Sequence, residues 1–110
     1  MRRVAAHYIW YKDEVCRLHY IELDDAGCFC GVYPLREEIA GTAFYDGVLF
    51  PASVLDPVPT FREALLRGKD LSNRVKQGMP VVIYHLTGIP LTSAKFGTDY
   101  SGGDGYIERL

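Results

Sequence analysis

At 110 residues, with 48% hydrophobic and 24% charged side chains, the chain reads as one globular β-rich domain spanning 1–110. A formal charge of −2 leaves no general electrostatic footprint for nucleic acid or an anionic membrane, and no apolar run approaches a spanning helix or a signal segment. Three cysteines (Cys16, Cys28 and Cys30) are an odd number without disulfide-framework spacing, which predicts reduced thiols and a cytoplasmic setting.

Aromatic residues make up 13% of the chain, and beside Val and Ile they favour pleated, half-buried surfaces, so the composition leans towards β. Three strand-like runs come first, at 3–11, 15–23 and 28–35, separated by Lys12-Asp13-Glu14 and Asp24-Asp25-Ala26-Gly27. A three-residue turn at 12–14 sets Trp10 opposite Cys16, Tyr8 opposite Leu18 and Ala6 opposite Tyr20 on an apolar core face. His7 then lies opposite His19 on the other face. The second turn is built from Asx residues and a glycine that supplies positive φ.

Residues 36–41 read as a short connection or a single helical turn. The run 42–51 reads as two short strands around a tight turn at Asp46-Gly47, stopped by Pro51. Two prolines in three residues make 54–59 a linker. Thr60-Phe61-Arg62-Glu63 is a capping box that opens a helix over about 60–77, with Phe61, Ala64, Leu65, Leu71 and Val75 at helical spacing. Gly68 leaves open whether this is one weakened helix or two short ones. Five basic residues against Glu63 and Asp70 give this stretch a net +3, and the rest of the chain therefore −5.

A central strand at 80–87 follows, then a shorter one at 91–96, a glycine-rich loop at 97–105 and a last strand at 106–110. The expected fold is mainly β, a small sandwich or partly open barrel of six to eight strands with one covering helix. Its expected core is Val4, Tyr8, Trp10, Leu18, Tyr20, Leu23, Phe29, Val32, Phe44, Leu49, Phe61, Leu65, Val82, Tyr84 and Leu86.

Chemistry is sparse. His7 and His19, paired across a hairpin, are weak candidates for a shared metal, with Cys28 or Cys30 adding a thiolate. No two of these ligands have the spacing of a known zinc motif, and structural histidines are the plainer reading. Cys28-Phe29-Cys30 lacks the Cys-x-x-Cys spacing of a redox site and reads as small core hydrophobes. Ser101-Gly102-Gly103-Asp104-Gly105 has the look of a calcium repeat in a single copy, too few to complete a coordination shell. No Ser–His–Asp order, P-loop, dinucleotide fingerprint or carboxylate pair stands in the sequence. The expectation is a chain without cofactor, metal or catalytic residues.

One resemblance adds to this. The order of strand, turn, Ile21-Glu22-Leu23-Asp24-Asp25-Ala26-Gly27, strand, and Tyr45-Asp46-Gly47-Val48-Leu49-Phe50-Pro51 resembles the N-terminal β-sandwich, or composite domain, of the amidohydrolase superfamily. The similar stretch runs from about Arg3 to Pro51. In that superfamily the Gly-Val-Leu-Phe-Pro-like strand leads into a metal-dependent barrel that carries a His-x-His pair. Here no histidine follows until His85, and 110 residues cannot hold the barrel. The resemblance therefore implies a stand-alone relative of the β-domain and carries over no catalytic residue.

The leading expectation is a non-catalytic domain acting in assembly or protein interaction, as a homodimer or with another protein, with Tyr11, Tyr33, Tyr45, Tyr100 and Tyr106 as interface anchors. The alternatives are a small-ligand module using an aromatic sheet face under the 97–105 loop, and a metal protein or enzyme through His7 and His19.

Overall fold

The computed structural model describes residues 1–37, 40–89 and 105–110. Its architecture is mainly β: strands β1 (Arg2–Tyr11), β2 (Glu14–Leu23), β3 (Phe29–Pro34), β4 (Thr42–Ser53), β5 (Val81–Thr87) and β6 (Tyr106–Arg109) form one mixed sheet. A single helix, α1 (Phe61–Asn73), covers part of it. The order is β3-β2-β1-β4-β5-β6, with β1 and β4 parallel and every other pair antiparallel. The sheet curls until the start of β3 meets the segment before β5. Phe29 N–H donates to the Met79 carbonyl, Gly78 N–H to that of Phe29 and Val81 N–H to that of Gly27. Beyond Phe29 the edges stay apart, so this is the partly open barrel of the expected alternatives.

Two apolar clusters follow from that curl. The inner face holds Val4, Ala6, Ile9, Ile21, Leu23, Phe29, Leu49, Val75, Val81 and Ile83. The outer face, under α1, holds Trp10, Val48, Phe50, Ala52, Ala64, Leu71, Val82, Tyr84 and Leu86.

The first hairpin corrects the expected register. Its turn has two residues, Lys12 and Asp13, both with positive φ (52° and 61°), the conformation that matches the twist of a tight hairpin. Asn73 Nδ2 donates to Asp13 Oδ1 at 2.7 Å and ties this turn to the end of the helix. Paired positions therefore sum to 25, with Trp10 opposite Val15, Ile9 opposite Cys16 and Ala6 opposite His19. His7 and Leu18 then fall opposite each other, at the one step the ladder skips, and Leu18 has a φ of 53°. There the alternation slips. Val4 and Ala6 face inward before it and Ile9 and Tyr11 after it, so His7 and Tyr8 both face outward.

β4 is a second correction. It is one continuous strand and not two around a turn, because Asp46-Gly47 is accommodated as a bulge: Ala6 pairs with Tyr45, but Tyr8 pairs with Val48. Gly47 has a φ of 90°, and a Cβ there would run into the Leu86 carbonyl, so only glycine lets β5 come this close. Pro51 does not stop the strand, since the β1 ladder has already ended at Leu49 and needs no N–H from it.

The capping box forms as expected, with Glu63 N–H donating to Thr60 Oγ1 and Thr60 N–H to Glu63 Oε1. The helix is single and ends at Asn73, earlier than 77, because Val75 leaves it to enter the inner cluster. Gly68 is where the helix rests on Trp10: a Cβ there would sit 2.8 Å from the indole.

Of the expected core, Leu18 and Phe44 are exposed, and Tyr8, Tyr20, Val32, Phe61 and Leu65 are only half-buried. The expected strand at 91–96 and nearly all of the 97–105 loop lie outside the described residues.

Candidate interaction surface

The helix covers only part of the outer face. Over the β3-β2-β1 side and the first half of β4, a row of side chains runs across four strands. Tyr33 pairs with Tyr20, Tyr20 with Ala5, and Ala5 with Phe44. Strand alternation sends all four outward, since Ile21, Val32, Val4, Ala6 and Tyr45 pack with the inner cluster. Tyr33 and Phe44 are exposed, the Tyr20 and Tyr33 rings lie 5.6 Å apart, and Ala5 is buried between its large neighbours.

Polar pairs border this row on both sides. Towards one end, Arg3 Nε donates to Glu22 Oε2 at 3.1 Å, across the β1–β2 ladder. Towards the other, His7 packs edge-on against Phe44, with centroids 5.1 Å apart, and its Nε2 lies 3.4 Å from Asp46 Oδ1. A shallow depression of ≈ 270 Å³ beside it is lined by His7, Asp46, Gly47, Thr87, Gly88 and Ile89.

The expected anchors separate. Tyr33 lies in the row. Tyr106 is exposed on β6, away from it. Tyr11 is half-buried on the inner face against Phe29, 5.3 Å away. Tyr45 is also inner and packs on His85 at 5.2 Å. Tyr100 lies outside the described residues. Tyr20 and Phe44, expected in the core, belong to the surface instead. A hint existed for Phe44, because Phe44 and Tyr45 are adjacent on a strand and must face opposite ways.

The His7–His19 pairing does not form. In the observed register His19 is opposite Ala6 and shares the inner side with Ile21 and Leu23, while His7 faces outward. His85, expected in a strand as a structural or surface histidine, is buried: its Nδ1 lies 3.0 Å from Glu108 Oε1, and its Nε2 bonds the Asp46 carbonyl. Both nitrogens are thus spent on tying β5 to β4 and β6.

All three cysteines are free and half-buried, short of the core positions expected for them. Burial first, and the Glu14 carboxylate next, push the Cys16 thiol up. The Cys30 thiol is raised in the same direction, by burial and then by Asp24 and Glu22. Neither has the lowered pKa that makes a thiolate nucleophile at neutral pH.

No helix among the described residues is long and apolar enough to cross a membrane. The chain matches no protein-family profile and no curated protein.

Proposed function

We propose that this chain is a non-catalytic β-domain that acts through protein association, in the cytoplasm, and that the uncovered outer face is its contact surface. The observation that carries this reading is the row Tyr33–Tyr20–Ala5–Phe44, with Tyr33 and Phe44 exposed, on a part of the outer face that the helix does not cover. Contiguous aromatic surface bordered by polar groups is what association surfaces offer. The likeness of Arg3–Pro51 to an amidohydrolase composite domain belongs to the same proposal, a sheet domain working without a barrel. Free, half-buried thiols suit a reducing compartment.

The small-ligand alternative would use the same aromatic face. It has less support, because the depression beside His7 is open and small against the usual ≈ 300–1,000 Å³ of ligand sites. Trp10, buried under the helix, would not report a ligand on the outer face.

The test is molar mass by light scattering over a wide concentration range, for the native chain and for Phe44→Glu. Reversible mass above the monomer, lost in the variant, is expected. A native chain that stays monomeric at every concentration would overturn the reading.

A further inference from the structure

We propose that the occupant of this face is a second copy of the chain, packed about a two-fold axis that runs along the seam between β1 and β2. The proposal rests on the association reading above and adds the partner and its orientation.

The argument is one of self-complementarity. A two-fold contact uses the same patch on both copies, so the patch must match its own rotated image. An axis lying in the contact plane along the β1–β2 seam exchanges the columns on either side of it. Each β2 residue then sits over the β1 residue with which it pairs in its own chain, but in the other copy.

The observed register makes every such meeting favourable. Glu22 falls over the partner copy's Arg3, and Arg3 over its Glu22, which turns one 3.1 Å ion pair in each chain into an alternating square of four charges. Tyr20 falls over the site of Ala5, which is itself buried, so it meets the aromatic rings that flank Ala5. One column further out, Tyr33 falls over Phe44, both exposed and both aromatic. Leu18, exposed, falls over His7. An axis along the β1–β4 seam offers no such match: it stacks Arg3 on Thr42 and Ala5 on Phe44, and among the described residues it gives Tyr20 and Glu22 no counterparts.

Size sets the strength. Four strands about 4.8 Å apart and three rows of outward residues give a contact of about 400 Å² per copy. That is at the low end of specific interfaces, so the dimer is reversible and its population follows concentration.

The test uses charge exchange between copies. Arg3→Glu alone sets carboxylates against carboxylates in the dimer, and Glu22→Arg alone sets guanidinium groups against each other. Each variant is expected to weaken self-association by about tenfold or more, since facing like charges are strongly unfavourable at a contact. Mixed one to one, the two variants recover a heterodimer, because every facing pair is again opposite in sign. Native mass spectrometry separates the heterodimer from either homodimer.

Tyr33→Cys and Phe44→Cys, both at exposed sites, give a second readout that needs no charged substitution. Mixed and oxidised, they are expected to form a 33–44 cross-link between copies, found by peptide mapping, in preference to 33–33 or 44–44. A native dimer indifferent to both charge variants, with no 33–44 cross-link, would overturn the two-fold arrangement while association itself stands. A native chain that is monomeric throughout would overturn both.

Discussion

The outer face of the sheet is divided between two treatments of the same kind of side chain. Under α1, Trp10 and Phe50 stack with centroids 6.1 Å apart, Phe50 and Tyr84 at 5.4 Å, and all three are buried. Beyond the helix, Tyr20 and Tyr33 contact each other ring to ring and Phe44 meets His7, but Tyr33 and Phe44 are exposed. The aromatic content is comparable; what differs is the covering layer. In the covered part an aromatic ring contributes to folding, because its removal leaves a cavity in a close-packed layer. In the open part a ring contributes little to the monomer and is free to contribute to association.

The comparison is broken most sharply by Trp10→Ala. Its loss beneath Gly68 is expected to cost about 3–5 kcal/mol in denaturant unfolding, the range for a buried large aromatic. A cost below about 1 kcal/mol would mean the helix is not seated on this ring. Next comes His85→Ala, which frees Glu108 and the Asp46 carbonyl together. A loss of about 2 kcal/mol is expected, with hydrogen exchange rising first in β6.

Thr60→Ala should cost about 1 kcal/mol by removing the helix cap. The cap also has a pH signature. Hydrogen bonds from the Thr60 backbone and side chain hold the Glu63 carboxyl below its ordinary range. A carboxyl whose folded pKa is lowered supports stability above its unfolded value and loses that support as pH falls through the folded one. Acid unfolding of the native chain should therefore show a component that Glu63→Gln lacks and that Thr60→Ala, which keeps the backbone donor, only reduces; identical acid limbs for the native chain and Glu63→Gln would count against the cap.

Phe44→Ala completes the series with the smallest effect on folding, within about 0.5 kcal/mol, as for exposed positions generally. Its effect on self-association should be the reverse, a clear loss of dimer at a concentration where the native chain associates. If Phe44→Ala destabilised the monomer as strongly as Trp10→Ala, the division of the face would be without consequence.

Much of the fold was legible from local signals. The capping box from Thr60 to Glu63 is a contact between neighbours in sequence, and it forms as the spacing requires. Asp24 to Gly27 folds as a turn for the same reason: Asp24 Oδ1 accepts from the N–H groups of Ala26 and Cys28. Apolar runs likewise marked β1, β2 and β5. The site was less legible. The expected pairing of His7 with His19 failed through a single residue, since a two-residue turn shifts every partner by one. The slip at His7 and Leu18 then turned Ala6 and Tyr8 to opposite sides, although both occupy even positions, and left Tyr20 facing away from Ala6.

What the chain determined by itself is the inventory: strand, turn and helix segments, whose signals lie within a few residues of one another and need no distant partner. Tertiary structure decided which side of each strand is which. The inward or outward sense of Tyr20, Tyr45 and Phe44 depends on a bulge at Gly47, a slip opposite Leu18 and the reach of a thirteen-residue helix. Each is a compromise between strands far apart in sequence, and side-chain period two converts a one-residue shift anywhere into a change of face. The aromatic row lies outside the part of the outer face on which the helix packs.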